Sequence, residues 1–157
     1  MKLTHDDLNL FSALIENNSI SVKDAIDWGY SQYTNEGAPN WLENFVLSGD
    51  KFELLDILKN EFNVYGELTL EQQIGEVIHR YLTNRINLHQ AINELLYDVY
   101  PYDDATKKEK SELYIADDFF DWHETPEKEA LKTISFIFDK YYPKFAESYN
   151  NFITVDQ

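Results

Sequence analysis

The sequence contains no cysteine, and only five glycines and four prolines occur among its 157 residues. The absence of cysteine excludes disulfides, thiolate nucleophiles and cysteine-ligated zinc or iron–sulfur sites. The glycines are too far apart to form a phosphate-binding loop or a dinucleotide fingerprint, and no Gly-x-Ser-x-Gly nucleophile elbow occurs. We therefore predict a protein without catalytic residues or a cofactor.

Long apolar runs are also missing. The longest is Leu113–Ala116, four residues, whereas a helix that crosses a bilayer needs about 20. Near the start of the chain, Asp6 and Asp7 occupy the place where a secretory signal would have its apolar stretch. Together with the lack of cysteine, these features predict a soluble, cytoplasmic protein with no membrane partner.

Acidic side chains dominate the charge, with 29 Asp and Glu against 13 Lys and Arg and a formal net charge of −16. Such a field repels phosphate backbones, so direct nucleic-acid binding is not expected. Because 43% of the residues are hydrophobic, the chain can still form a core. Its length suits a single domain over residues 1–157.

Apolar residues recur at helical spacing along most of the chain, which predicts an all-α bundle of about seven to nine helices. Most of the predicted helices open with a residue that can cap a helix, followed three positions later by an acid or an amide. These openings are Thr4 with Asp7, Ser21 with Asp24, Asp50 with Glu53, and Thr69 with Gln72; the sixth helix opens at Asn87.

The spacing also predicts which side chains face the core. In the second helix the apolar stripe includes Tyr30 and Tyr33, and Gly37 ends the helix. In the fourth, which includes Phe52, apolar residues lie on more than one side, so a central position is expected. The fifth and sixth helices have the clearest stripes: Leu70, Ile74, Val77, Ile78, Tyr81 and Leu82, then Leu88, Ala91, Ile92, Leu95, Leu96 and Val99.

Residues 100–124 are less regular, because Pro101 interrupts the pattern and Leu113–Ala116 is compatible with a strand or a helix. We predict a loop followed by one helix. Thr125-Pro126 then opens a long helix. Pro143 disfavours helix at the residue before it, so a break and a short last helix are expected.

Two patterns resemble metal sites. Glu76-x-x-His79 has the spacing of di-iron helices, but no second such pair exists, so we predict a surface or boundary position for His79. Asp117, Asp118, Asp121, His123 and Glu124 form a denser group of potential ligands, although their spacing matches no EF-hand loop. Solvated acids are the expected interpretation, and a metal-dependent hydrolase is the weakest functional alternative.

Residues 94–129 carry 12 acidic and 4 basic side chains and several aromatic rings. Aromatic residues supply buried anchors in interfaces, and surrounding charges set encounter rates and partner choice. One interpretation is a binding surface for a basic protein; the other is that the rings pack inward while the acids face water. The predicted partner-binding residues are Asp103, Asp104, Asp117, Asp118, Asp121 and Glu124 as charges, and Tyr100, Tyr102, Tyr114 and Trp122 as anchors.

The stretch Ile20–Trp28, followed by Pro39-Asn40-Trp41-Leu42, resembles the N-terminal part of a family of small bacterial helical proteins grouped with immunity proteins of polymorphic toxin systems. The resemblance covers about a third of the chain and includes none of the acidic segment. It implies a non-enzymatic inhibitor of a basic toxin or nuclease. The alternative is a helical adaptor that binds a peptide or a helix through an apolar groove.

Overall fold

The chain folds into helices, as the spacing predicts; the computed structural model describes residues 3–153. Eight α-helices lie within that range, with no strand beyond an isolated bridge between Thr34 and Gly37. They are α1 His5–Glu16, α2 Val22–Ser31, α3 Asn40–Val46, α4 Lys51–Phe62, α5 Leu70–Leu82, α6 Leu88–Glu94, α7 Lys107–Trp122 and α8 Pro126–Asn150. A π-helical segment, Leu95–Val99, continues directly from α6. None of the described helices is long and apolar enough to cross a membrane.

The helix openings confirm the capping predictions at four sites. Thr4 and Asp7 form a reciprocal capping box on α1, and Asn87 and Gln90 form one on α6. The Ser21 and Asp50 side chains accept hydrogen bonds from the backbone N–H of the residue three positions on. Each cap satisfies an amide that has no partner inside its helix.

Contacts divide the chain into two units, the first comprising Met1–Thr69 with Glu147–Gln157 and the second Leu70–Ala146. The prediction of one domain over residues 1–157 stays a prediction. In the first unit, the core centres on four rings. Phe11 stacks on Phe152 with 4.3 Å between ring centroids, and Trp28 lies 4.6 Å from Phe11 and 5.8 Å from Phe45.

A buried amide anchors the segment that follows α4. The Asn9 Oδ1 atom accepts the backbone N–H groups of Tyr65, Gly66 and Glu67, with N to O distances of 3.0, 3.0 and 3.2 Å. Gly66 has a φ of 81°, in the left-handed region that favours glycine. Three successive amides therefore converge on one oxygen of α1.

Three predicted apolar positions in the first unit are wrong. Tyr30 is 53% exposed and Tyr33 37%, because the face of α2 that packs inward is formed by Ala25, Trp28 and Gly29. Phe52 is 67% exposed, since α4 buries only Leu54 and Leu58 and is not central. The helix α2 also ends at Ser31, well before Gly37.

In the second unit, apolar residues from α5, α6, the π-helical segment, α7 and α8 form one core that includes Ile78, Ile92, Leu113 and Ile134. The backbone of α5 approaches α8 closely, because a methyl group at Gly75 would lie 2.5 Å from Phe145 Cβ. The clear stripes of the fifth and sixth predicted helices are confirmed, except that Leu82 is exposed.

The predicted break at Pro143 is wrong, since α8 is continuous from Pro126 to Asn150 with Pro143 inside it. A proline inside a helix costs about 3 kcal/mol through a lost hydrogen bond and a clash. On either side of it, Tyr141 and Phe145 are buried, so packing of both turns offsets that cost. The prediction of a loop and then a helix within residues 100–124 is confirmed by α7.

Candidate functional site

The outer face of α7 presents eight exposed side chains to solvent. They are Lys107, Lys108, Ser111, Tyr114, Ile115, Asp118, Asp121 and Trp122. Their spacing repeats every three or four residues, so they form one continuous strip along the helix. The opposite side of α7 packs inward through residues that include Leu113 and Ala116. We call the eight exposed residues the outer face of α7.

The exposed charges of α7 run in the order that opposes the helix dipole. Lys107 and Lys108 lie in the first turn together with the buried Glu109, Asp118 and Asp121 lie in the last two turns, and the last turn contains no basic residue. The helix dipole favours acids at the N-terminus and bases at the C-terminus, by about 0.3–1 kcal/mol for each charge. The order of the exposed charges thus stabilises the isolated helix less than the reverse order would.

A pocket of about 300 Å³ opens beside the first half of α7. It is lined by Pro101, Tyr102, Asp103, Asp104, Lys107, Lys110, Ser111 and Tyr114. Lys110 is buried; its Nζ donates to the carbonyl oxygen of Tyr100 at 3.1 Å and lies 3.4 Å from the centroid of the Tyr102 ring. A hydrogen bond with Tyr102 and then partial desolvation raise the pKa of Tyr114 above its usual value of 10.0, so its hydroxyl stays protonated at neutral pH.

Several predicted partner-binding residues are exposed. Tyr102 is 87% exposed, Trp122 68% and Tyr114 39%, and the carboxylates of Asp104, Asp118, Asp121 and Glu124 also belong to exposed residues. Rings and acids therefore coexist at the surface of α7 and of the loop before it. An interface with a charged partner requires this arrangement.

The prediction of Tyr100 as a surface anchor is wrong, because this residue is only 4% exposed. The backbone N–H of Tyr100 donates to the carbonyl oxygen of Leu95, five residues earlier, at the end of the π-helical segment. Tyr100 follows Ile92 and Leu96 at intervals of four residues, so its side chain continues the buried stripe of α6, and its hydroxyl donates to the buried Glu109 carboxylate at 3.4 Å. The prediction is based on the mixture of rings and acids in residues 94–129, for which inward packing is the other interpretation.

Two of the predicted charges already have partners within the chain. The Asp117 carboxylate lies 2.9 Å from His89 Nε2 on α6. The Asp103 carboxylate accepts the backbone N–H of Thr106 at 3.0 Å and so closes the loop before α7. Both groups hold local structure. The other four predicted acids are exposed and make no hydrogen bond to another described residue: Asp104, Asp118, Asp121 and Glu124.

A buried polar cluster beneath α7 was missed by the sequence reasoning. Glu109 is 5% exposed, and its carboxylate accepts the hydroxyls of Tyr141 and Tyr100 at 3.1 and 3.4 Å. Lys140 Nζ lies 3.5 Å from the same carboxylate. Burial and then the Glu109 carboxylate raise the pKa of both tyrosines. No local pattern marks Glu109, because its partners are 9 and 32 residues away.

The predicted surface or boundary position of His79 is wrong. His79 is 7% exposed, its Nδ1 lies 3.1 Å from the Tyr142 hydroxyl, and burial followed by the charge of Arg85 lowers its pKa below 6.5. Glu76 is also buried, and its carboxylate pairs with the Arg80 guanidinium. This pair fixes α5 within the core and is not directed towards a second carboxylate–histidine pair.

Metal binding receives no support from the positions of the candidate ligands. Within residues 3–153, no three His, Asp or Glu side chains are grouped so that they could share an ion. In the acidic group, Asp117 faces His89, and His123 Nδ1 accepts the backbone N–H of Thr125 at 3.0 Å.

The sequence reasoning also missed the basic and small members of the outer face of α7. Lys107, Lys108, Ser111 and Ile115 lie on the same strip as the predicted acids and rings. The exposed pairs 107 and 108, 114 and 115, and 121 and 122 recur every seven residues in the structure. Because these pairs are Lys-Lys, Tyr-Ile and Asp-Trp, no repeat of residue type marks the strip in the sequence.

Comparison of the chain with family models, curated proteins and solved structures finds no match.

Proposed function

We propose that this chain is a non-enzymatic binding protein, an immunity-type inhibitor that neutralises a basic toxin or nuclease through the outer face of α7. The observation that carries the proposal is the exposure of Trp122 beside Asp118 and Asp121 at the end of that helix. A large ring in water, flanked by acids that bond to no other described residue, suits an interface better than it suits a free surface.

The physical argument for inhibition has two parts. Exposed carboxylates attract the Lys and Arg side chains with which a nuclease holds phosphate, and the attraction speeds association. Trp122 and Tyr114 can then bury apolar area against the partner, which slows dissociation. The unfavourable order of charges on α7 adds support, since a basic partner would neutralise acids that the helix dipole disfavours.

A direct test uses the product of the gene adjacent to this chain's own gene, produced as a purified protein with a measurable nuclease or toxic activity. Stopped-flow association rates would be measured between about 50 and 500 mM NaCl for the wild type and for D118N/D121N. We expect the variant to associate about tenfold more slowly at low salt and to lose most of its salt dependence, because steering raises association rates by about 10–10³-fold.

The matched control is D56N/E61Q, which removes two exposed acids from α4 in the first unit. Its association rate and its salt dependence should equal those of the wild type. Equal effects of the two double variants would mean that net charge alone acts and that the outer face of α7 is not the interface. If the wild type does not inhibit the product of the adjacent gene at any salt concentration, the proposed function is wrong.

A second candidate is a helical adaptor, supported by the adjacent exposed Tyr114 and Ile115 in the middle of the outer face. Such a surface would bind an apolar face of a peptide or helix. Binding of this type would be insensitive to salt and would be weakened by I115A far more than by D118N/D121N. The ratio of these two effects separates the candidates.

A further inference from the structure

The exposed positions of α7 are symmetric about a single point in the helix. Residues 107 and 122, 108 and 121, 111 and 118, and 114 and 115 each stand at equal distances from the midpoint between Tyr114 and Ile115. No other residue of α7 belongs to the exposed class. When two identical helices pack antiparallel around a two-fold axis at that midpoint, these pairs face each other across the contact.

Three of the four facing pairs are chemically complementary. Lys108 would meet Asp121 of the second copy as an ion pair, Lys107 would meet the ring of Trp122 as a cation over an aromatic face, and Tyr114 would pack against Ile115. In the fourth pair the small Ser111, whose hydroxyl donates to the carbonyl oxygen of Lys107 at 2.8 Å, faces Asp118. Because the contact is isologous, every pair occurs twice.

The seven-residue repeat strengthens this geometry. Residues 107 and 108, 114 and 115, and 121 and 122 recur at the spacing that keeps one helix face directed at a partner helix. In the antiparallel arrangement, the lysines at the N-terminal end of one α7 lie against the acids at the C-terminal end of the other. Charges that the helix dipole disfavours within each helix would thus be neutralised between helices.

The pocket beside α7 provides a receptor for one of these side chains. Lys107, Ser111 and Tyr114 belong both to its lining and to the outer face, and Lys107 is the residue that would face Trp122 of the second copy. A volume of about 300 Å³ accommodates an indole. The exposed ring of Tyr102 supplies a stacking surface, and the buried Lys110 ammonium group lies over that ring.

We infer that a second copy of this chain binds the outer face of α7 in an antiparallel pair, with Trp122 of each copy inserted in the pocket lined by Tyr102, Lys107 and Tyr114 of the other. The helix has 16 residues and is about 24 Å long, so the contact lies at the small end of specific interfaces. We expect a dissociation constant on the order of 10 µM.

This inference does not rest on the proposed function, although the two use overlapping residues. Asp118, Asp121, Tyr114 and Trp122 would be covered in the dimer and would be needed by a basic partner. Binding of such a partner would therefore compete with self-association. K108E separates the two proposals, because it should weaken self-association by about tenfold or more, whereas the acid that it adds to the outer face of α7 should speed association with a basic partner.

Sedimentation velocity of the full chain from about 1 to 300 µM tests the pairing. The wild type should change from monomer to dimer over this range. K108E and D121K each place like charges opposite each other twice, so each should weaken the dimer by about tenfold or more. Both substitutions give α7 the order of charges that its dipole favours, so loss of the dimer could not be attributed to a weakened helix.

Mixing the two variants provides the decisive measurement. In an equimolar mixture of K108E and D121K, the introduced carboxylate of one chain faces the introduced ammonium group of the other. At the symmetry-related contact, the native Asp121 of the first chain faces the native Lys108 of the second, so a 1:1 heterodimer should form with about wild-type affinity. The double variant K108E/D121K should also recover the homodimer. A wild type that stays monomeric to 300 µM, or a mixture that forms no heterodimer, would overturn the inference.

Two further variants test whether loss of the dimer is specific to the proposed contact. K144E changes a lysine of the same unit that is exposed on α8, and its dimer affinity should equal that of the wild type. W122A should weaken the dimer by about thirtyfold or more, because truncating an aromatic anchor costs interfaces about 2 kcal/mol or more, which is that factor. Equal dimerisation of W122A and wild type would show that the pocket receives no indole.

Discussion

The hydroxyl of Tyr141 donates a hydrogen bond to Glu109 Oε2 over 3.1 Å, which joins α8 to the buried side of α7. Tyr100 approaches the second oxygen of the same carboxylate from the end of the π-helical segment. One acid therefore serves two buried donors from two elements. Because all three groups are removed from water, each bond lost leaves an unsatisfied polar atom.

Replacing Glu109 by leucine should destabilise the second unit strongly. A buried donor without an acceptor costs about 1–3 kcal/mol, and two hydroxyls lose theirs, so we expect the free energy of unfolding to fall by about 2–4 kcal/mol. E109Q keeps acceptor oxygen in place and should cost about 1 kcal/mol. E112L, three residues along α7 and only partly buried, is the control and should change stability by about 0.5 kcal/mol or less. Urea denaturation measures all three, and an E109L as stable as E109Q would contradict the role of Glu109.

Replacing Asn9 by alanine should release the segment after α4. The substitution removes the oxygen that accepts three backbone N–H groups, and we expect a loss of about 2–4 kcal/mol. N9D keeps an oxygen at that place and should be the milder change. Amide hydrogen exchange gives the local readout: residues 65–67 should exchange faster in N9A, while N9D retains their protection. Unchanged exchange in N9A would show that other contacts hold the segment.

A methyl group at Gly75 should be poorly tolerated, although alanine favours helices by about 1 kcal/mol over glycine. The added carbon would lie 2.5 Å from Phe145 Cβ and 2.8 Å from Phe145 Cγ, so α5 or α8 must move. We expect G75A to lower the free energy of unfolding by about 1–3 kcal/mol. F145A cannot rescue it, because the nearest atom is a Cβ that alanine keeps. G49A, where the nearest atom is 3.9 Å away, is the matched control and should be close to neutral in thermal unfolding.

Stability of the second unit should depend on pH through His79. Its folded-state pKa lies below 6.5 because burial, and then Arg85, disfavour the imidazolium. As the pH falls through 6.5, the unfolded chain takes up a proton that the folded chain does not, so the free energy of unfolding decreases. H79Q should remove this part of the decrease. Y142F should keep this pH dependence, since burial is the larger cause of the lowered pKa. If H79Q and the wild type lose the same free energy of unfolding between about pH 7 and 5, His79 is not the group responsible.

Removing an acid from the end of α7 should stabilise the protein. Asp121 lies in the last turn, where the helix dipole disfavours a carboxylate, so D121N should raise the free energy of unfolding by about 0.3–1 kcal/mol. D24N, which removes an acid from the first turn of α2, should have the opposite sign. Thermal unfolding below about 5 µM, where self-association is weak, checks both. A destabilised D121N would mean that Asp121 holds an interaction within its own chain.

The sequence predicted the helix starts and apolar stripes, because these depend on interactions between residues close together in the chain. The predicted capping pair Thr4 and Asp7 lies three residues apart and forms a box in the structure, and the helix start predicted at Asn87 is also capped by that residue. The stripe of α5 from Ile74 to Ile78 is likewise a property of one helix and its period. Such features can be recognised in a sequence because their energies depend on neighbours along the chain.

Contacts between residues far apart in the sequence determine the features that the sequence did not predict. Continuity of α8 through Pro143 follows from packing on both sides of it, and the burial of His79 depends on Tyr142, 63 residues later. At the candidate site, Trp122 and Tyr102 are exposed, whereas Tyr100 is buried and its hydroxyl donates to Glu109, nine residues later. The pairing of Asp117 with His89 needed the packing of α6 beside α7.

The π-helical segment Leu95–Val99 also bears on how this region tolerates changes in length. A wide turn of this kind holds one residue more than an α-helical turn over the same path. Deletion of a single exposed residue there, such as Asp98, could be absorbed by closing the wide turn into an ordinary one. The same deletion in the middle of α5 would rotate every following side chain by about 100° and take the apolar stripe out of register.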